Sequence, residues 1–193
     1  TIKKKIMKHI FTALAILQLK EISKLKLDDN LKKYFPDFPY TDISIRHLLS
    51  HTSGLRDDVL FDSLVIAKKI IFNKDIIPTL KVLNIPLLFK PGEEWEYSNT
   101  SYLLLAFLVE KLSGLSYQDY LQRNIFVPAK MTNSYVLEDD LHNRQDMFRV
   151  TNHKHPKFYS DVLVDAYSTE PYLSNHFYMS GTVGGSRIIS TTE

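Results

Sequence analysis

The sequence predicts a mainly α-helical domain, and three observations support this prediction. Segment 103–112 is apolar on nearly every helical face, which is typical of a helix buried at the centre of a domain. Segment 6–25 is rich in strong helix formers. The chain has 193 residues, 44% of them hydrophobic and 24% charged, and this suits one soluble globular domain with its own core.

The composition excludes several kinds of site. The chain has no cysteine, so disulfides, thiolate metal sites and thiol nucleophiles are all excluded. Its net charge of +2 gives no electrostatic basis for binding nucleic acid, and we expect no nucleic-acid partner.

The N-terminal segment has two interpretations. Three lysines at 3–5 precede the apolar run 10–19, which is the order found in a signal peptide, and residues 3–19 could then form a signal-anchor. The run is short for a membrane span, however, and Lys20 and Glu21 stand where small residues would mark a cleavage site. We therefore favour a buried helix over 6–25.

Turn-forming residues divide the middle of the chain. Thr41 or Asp42 can cap a short helix over 43–49, which Gly54 would end in a left-handed conformation. Segment 57–90 has helical apolar spacing in pieces, and we expect Pro78 and Pro86 to break it.

The rest of the chain alternates between helix and loop. A helix is predicted from Asn99 to Ser113, ended by Gly114, and another is predicted from Ser116 toward Ile125. Residues 139–178 are polar, aromatic and poorly periodic, which indicates a long surface excursion.

Few side chains point to chemistry by themselves. Tyr97 and Asn99 form a Tyr-x-Asn pattern, which is common by chance; in isolation Tyr97 would simply pack, and Asn99 would cap the following helix. His47 and His51 have a spacing that could bind a metal, but no third ligand is evident, and a structural role is favoured. The remaining residues considered, and not favoured as catalytic groups, are Thr12, Ser98, His153, His155 and Ser186.

Four segments together resemble the serine β-lactamase and DD-peptidase superfamily, and within it the class C-like and esterase-like branch. They occur in the family's order, and from the first to the last they span nearly the whole chain: 11–19, 43–55, 91–99 and 184–191. The resemblance implies the helical domain of an α+β fold with most of its antiparallel sheet missing. The chain would be one incomplete domain over 1–193, with an atypical N-terminus at 1–10, a mostly helical region at 11–178 and the start of a return to the sheet at 179–193.

In this family a serine hydroxyl attacks a carbonyl to form an acyl-enzyme, and a lysine and a tyrosine help to move its proton. The resemblance makes Tyr97 the proton-transfer residue and Asn99 the contact to the substrate's amide. Alignment on Phe11 puts the serine position at Ile6 and the lysine position at His9, so both groups are substituted. Lys8 lies one residue from the lysine position.

The sequence therefore predicts a fragment of a serine β-lactamase-like hydrolase that is inactive as given. By resemblance, complete relatives cleave β-lactams, cell-wall peptides or small esters in the periplasm or cell envelope, with no metal or organic cofactor. The alternatives are a non-catalytic protein that binds peptidoglycan or another peptide, and a membrane-anchored module. An incomplete domain would also expose apolar surface and could self-associate through it.

Overall fold

The structure is a computed structural model, and it describes residues 2–57, 60, 72–132, 134–136, 184 and 188–189; for residues 2–8 and 189 it describes the backbone alone. The described part is mainly helical with little strand, as the sequence predicts. The helices are α1 (Ile2–Glu21), α2 (Ile45–Leu49), α3 (Asn73–Leu83), α4 (Asn99–Ser113) and α5 (Tyr117–Leu121), with a short 3₁₀ helix at Leu31–Lys33.

Helix α1 confirms the predicted N-terminal helix, with different bounds from the predicted 6–25. It ends at Glu21, and Ser23 takes a left-handed conformation with φ 57°. The buried residues in its described part follow helical spacing and face the core: His9, Thr12, Ala15, Ile16 and Leu19. No helix in the described ranges is both long enough and apolar enough to cross a membrane.

Helix α4 is the central helix of the described fold, as predicted, and it packs against α1, α2, α3 and α5. Ser98 caps its N-terminus by accepting a hydrogen bond from the Ser101 backbone, so the alternative to a site role for Asn99, in which it caps this helix, is wrong. Gly114 ends the helix at φ 74°, as predicted. Nine of its residues are buried: Thr100, Ser101, Tyr102, Leu103, Leu104, Leu105, Ala106, Leu108 and Val109.

Helix α2 begins and ends at other residues than those predicted. The cap is Ser44, because its hydroxyl accepts from the His47 backbone while the His47 ring accepts from the Ser44 backbone. The left-handed residue just beyond the helix is His51, at φ 59°. Gly54 is also left-handed, but it does not end the helix. It lets the backbone of Phe89 pass close to it, since a Cβ at Gly54 would lie 2.4 Å from the Phe89 carbonyl oxygen.

Helix α3 contains Pro78, so the prediction that this proline breaks the helix is wrong. Proline removes one backbone hydrogen bond, and burial of Ile76, Ile77 and Leu80 on the core face offsets that loss. Pro86 does lie beyond the end of the helix, as predicted. Residues 61–71 of the same predicted segment lie outside the described residues.

The C-terminal part of the described chain begins as predicted. Ser116 caps α5, and a π-helical turn at Gln122–Phe126 continues it toward Pro128. Strand β1 (Tyr135–Val136) pairs antiparallel with β2 (Ile188–Ile189). The predicted excursion at 139–178 lies outside the described residues, and the absence of most of the sheet stays a prediction.

The buried hydroxyl of Thr12, in α1, forms hydrogen bonds to two distant parts of the chain. Thr12 donates a hydrogen bond to the Gly184 carbonyl at 2.9 Å and accepts one from the Tyr117 hydroxyl at 2.6 Å. A Cβ at Gly184 would lie 2.4 Å from the Ala106 Cβ, so only glycine fits against α4. Burial raises the pKa of Tyr117, which keeps its phenol a hydrogen-bond donor. Thr12 is therefore a packing residue, in line with the sequence prediction.

Candidate active site

The segment that carries Tyr97 is held by the loop that follows α2. The backbone of Gly92 donates to the Thr52 carbonyl at 2.8 Å, and the backbone of Glu96 donates to the His51 carbonyl at 3.0 Å. Gly92 has φ 90°, and a Cβ there would come within 3.2 Å of the His47 ring nitrogen Nε2. These contacts place Tyr97 beside the N-terminus of α4.

Three side chains lie close together at the N-terminus of α4: His9, Tyr97 and Asn99. The Tyr97 hydroxyl lies 3.4 Å from His9 Nε2, and it donates a hydrogen bond to Asn99 Oδ1 at 3.3 Å. The His9 ring is 6% exposed. Both distances are longer than those of most hydrogen bonds between side chains. The structure thus brings the predicted pair Tyr97 and Asn99 together with His9, the residue at the predicted lysine position.

Ile6, at the predicted serine position, lies in α1 one helical turn before His9. Its side chain and that of Lys8 lie outside the described side chains.

His51 is a site residue that the sequence analysis treated only as a structural or metal-binding histidine. Its ring centroid lies 4.8 Å from that of Tyr97, 5.4 Å from that of His9 and 5.0 Å from that of Tyr102. Its Nδ1 accepts a hydrogen bond from the Ser98 backbone at 3.1 Å, so the neutral ring carries its proton on Nε2. Burial lowers the pKa of His51 and favours this neutral form, although the negative charge of a nearby aspartate acts in the opposite direction.

Trp95, the chain's one tryptophan, lies at the exposed edge of the same cluster. Its ring meets that of His51 edge to face, with centroids 6.1 Å apart, and its side chain is 63% exposed.

Asp57 is the residue that sequence reasoning missed. Its carboxylate accepts five hydrogen bonds from three consecutive residues at the start of α4. A carboxylate at a helix N-terminus is favourable because it pairs with unsatisfied backbone N–H groups and with the helix dipole. No sequence signal could identify this partnership, since Asp57 lies more than 40 residues before its partners.

The surroundings keep Tyr97 protonated. Burial raises the pKa of Tyr97, and the negative charge of Asp57 raises it further. Burial likewise raises the pKa of Tyr102 to about 12, with Tyr97 adding to the effect. Both phenols are therefore neutral hydrogen-bond donors at neutral pH.

The metal interpretation of His47 and His51 gains no support here. His47 Nδ1 accepts from the Ser44 backbone and His51 Nδ1 accepts from the Ser98 backbone, so the two rings serve separate structural bonds. Within the ranges that the structure describes, no three His, Cys, Asp or Glu side chains are grouped so as to hold a metal ion. Ser98 is fully buried and its hydroxyl caps α4, so a substrate cannot reach that hydroxyl. His153, His155 and Ser186 lie outside the described residues.

Comparison with known proteins identifies relatives of this chain. A family model described as Beta-lactamase matches residues 10–193. The chain is 44% identical over 127 residues to penicillin-binding protein 4* of Bacillus subtilis, a match that covers 65% of this chain and 28% of that protein. It is 32% identical over 142 residues to protein flp of Staphylococcus aureus, covering 70% of this chain and 28% of that protein.

Solved structures give the same result. A penicillin-binding protein from Bacillus halodurans superposes with a TM-score of 0.58 at 35% identity, covering 68% of this chain and 41% of that one. The D-amino acid amidase of Ochrobactrum anthropi SV3 complexed with D-phenylalanine gives a TM-score of 0.57 at 28% identity, covering 67% and 36%. The matches thus span 28% of the length of the two curated relatives and roughly two fifths of each solved one.

Proposed function

This chain belongs to the β-lactamase family, and from that membership we propose that it carries the tyrosine and asparagine of an acyl-transfer site without the attacking serine. Tyr97 is the proton-transfer residue of that site, and Asn99 is the contact to the amide of a ligand. The ligand is a small amide or peptide of the kind that the names of the penicillin-binding and D-amino acid amidase relatives suggest. For a penicillin-binding relative, such ligands lie in the cell envelope.

One observation carries this proposal, namely the 3.4 Å contact between His9 Nε2 and the Tyr97 hydroxyl. The resemblance assigns the lysine position to residue 9 and the tyrosine position to residue 97, which are 88 residues apart in sequence. Their meeting, with Asn99 bonded to the same hydroxyl, is what an inherited active-site layout requires.

The chemistry of the proposed site depends on Ile6 and His9, which replace the serine and the lysine. In an acyl-transfer site the attacking hydroxyl loses its proton to a nearby base as it bonds to the carbonyl carbon. The isoleucine at residue 6 has no lone pair with which to attack. The imidazole of His9 can donate to Tyr97, but the neutral ring lacks the fixed positive charge of an ammonium group. The site can contact a ligand through Tyr97 and Asn99, but residue 6 cannot form an acyl ester.

The test is intact-mass measurement after incubation with a fluorescent penicillin. The natural chain is expected to gain no covalent adduct. A stable adduct mapped to any of its residues would contradict the proposal. The matched variant carries Ile6→Ser together with His9→Lys, which restores both groups on one turn of α1. This variant is expected to gain an adduct on residue 6, and failure to label would count against the assignment of Tyr97 and Asn99.

Several interpretations of the sequence that go beyond family membership stay predictions. These are the fragment interpretation, the domain bounds within 1–193, and the alternatives of a peptide-binding protein or a membrane-anchored module.

A further inference from the structure

We infer that the indole ring of Trp95 is a further contact surface of this site, and that it packs against an aromatic ring of the ligand whose amide Asn99 contacts. The inference rests on the proposed function for the identity of the site. It adds the chemical class of the ligand, an amide that carries an aromatic group, and the residue that selects this class.

The rings around Tyr97 form a continuous series that leads from the core to the surface. At its inner end His9 is stacked on Tyr102 with ring centroids 3.7 Å apart, and the two residues are only 6% and 5% exposed. The Tyr97 ring lies 5.2 Å from that of His9 and 4.8 Å from that of His51. The last member is Trp95, whose ring lies 6.1 Å from that of His51 and whose side chain is 63% exposed. Trp95 is therefore the outer end of the ring cluster that contains the tyrosine of the proposed site.

Trp95 and Tyr97 lie on the same side of their segment, because the rings of both contact the ring of His51. Between them the Glu96 backbone donates a hydrogen bond to the His51 carbonyl at 3.0 Å, which fixes the segment against the loop after α2. The hydroxyl of Tyr97 is in turn bonded to Asn99. A small ligand bound at Asn99 can therefore extend along this surface as far as Trp95.

The exposure of the Trp95 ring favours a contact with a ligand. Tryptophan is highly buried on average, and a buried ring contributes a large apolar contact area. Among the described residues, the ring contact that holds Trp95 is its edge-to-face packing on His51, which leaves much of the indole open to solvent. An indole has few rotatable bonds, so it loses little entropy when a ligand packs against it. Aromatic rings pack on such a surface in offset or edge-to-face geometry, which is why the ligand group is expected to be aromatic.

The experiment compares two probes, phenylacetylglycinamide and acetylglycinamide, which differ by one phenyl ring. Both are neutral, so the exposed side chains of Glu94 and Glu96 should affect them equally. Titration of the full natural chain, followed by NMR, gives the two dissociation constants. The phenyl compound is expected to bind about 3- to 10-fold more tightly, which is the contribution of one aromatic contact.

Fluorescence of the natural chain tests the same contact without a variant. All tryptophan emission comes from Trp95, because the chain has one tryptophan. Acrylamide should quench this emission readily, since the side chain is exposed. Saturating phenylacetylglycinamide is expected to reduce the quenching, because the bound phenyl ring covers the indole.

Trp95→Ala should weaken the binding of phenylacetylglycinamide about 3- to 10-fold and leave the binding of acetylglycinamide unchanged. Trp95→Phe should retain most of the preference for the phenyl compound, because it keeps an aromatic ring. Phe72→Ala is the matched control, since it removes an aromatic side chain that is 46% exposed just before α3, and it should change neither constant. A purely structural role of Trp95 would weaken both probes alike.

Three results would each overturn the inference: equal dissociation constants for the two probes in the natural chain, equal weakening of both probes in Trp95→Ala, or no binding of either probe. If Trp95→Ala shows no cooperative melting, the fluorescence measurement decides. Acrylamide quenching that the phenyl compound leaves unchanged would then overturn the inference.

Failure of this inference can be told apart from failure of the proposed function. A penicillin adduct on the natural chain would overturn the proposed function and leave a measured preference for the phenyl compound standing. Loss of that preference would remove the role of Trp95, whereas the labelling of the variant with Ile6→Ser and His9→Lys tests Tyr97 and Asn99 separately.

Discussion

The imidazole of His9 lies flat on the phenol ring of Tyr102, with ring centroids 3.7 Å apart and planes 6° apart. The Tyr102 hydroxyl donates to the Leu49 carbonyl at 3.0 Å. One stacked pair therefore joins α1 to α4, and its hydroxyl extends the contact to the end of α2. His9 thus contributes to the packing at the junction of three helices.

Replacing His9 by alanine should lower the free energy of unfolding by about 2–3 kcal/mol, because the buried ring leaves a cavity against Tyr102. Urea unfolding followed by circular dichroism measures this loss. Ile10→Ala is the matched control on the next residue of α1, where the side chain is 51% exposed. That change should cost less than about 1 kcal/mol. Equal losses in the two variants would show that the stacked pair contributes nothing to stability.

Acid should destabilise the fold through His51. Burial holds the pKa of His51 in the folded chain below its ordinary value of 6.5. The stabilising contribution of the neutral ring is therefore complete above that value, and it is lost as the pH falls toward and through the folded pKa. Urea unfolding measured from about pH 8 down to about pH 5 should show this loss.

His51→Asn is the variant that isolates this effect. Asparagine tolerates the left-handed backbone at φ 59° and does not titrate. Its unfolding free energy should depend less steeply on pH than that of the natural chain. Identical slopes would exclude His51 as the source of the acid sensitivity.

Alanine substitutions at two glycines can distinguish the cost of a left-handed backbone from the cost of a steric clash. Gly54 and Gly114 have nearly the same φ, 72° and 74°. A Cβ at Gly54 would lie 2.4 Å from the Phe89 carbonyl oxygen, whereas a Cβ at Gly114 would meet nothing within 4 Å. Gly114→Ala should cost about 1–2 kcal/mol from the left-handed conformation alone. Gly54→Ala should cost about 1–3 kcal/mol more, because the backbone of Phe89 must move. Thermal melts of the two variants test this, and equal costs would contradict it.

Self-association is expected through an apolar stripe on α1, formed by Ile10, Leu14 and Leu17. These side chains are 51%, 40% and 40% exposed, and they recur at helical spacing. Exposed apolar surface of this kind favours contact between copies. Light scattering should show a mass that rises with protein concentration, and Leu14→Gln with Leu17→Gln should reduce that rise. A monomer at every concentration tested would contradict the prediction.

The family and the central helix could be predicted from the sequence alone. Helix α4 could be predicted because nine buried residues and a terminal glycine form a dense local signal. The assignment of Ile6 and His9 to the serine and lysine positions, by counting back from Phe11, stays a prediction. Local signals failed where tertiary contacts compete with them, as when Pro78 stays inside α3 because burial of the core face offsets its missing bond.

The groups that surround Tyr97 could not be predicted from the sequence. Asp57, His51 and Tyr102 reach it from separate segments, and no periodicity links them. Asp57 acts through bonds to residues more than 40 positions away, so its role depends on how the chain folds back on itself. The direction of a side-chain hydrogen bond likewise depends on the fold, because the fold decides which acceptor lies beside each donor.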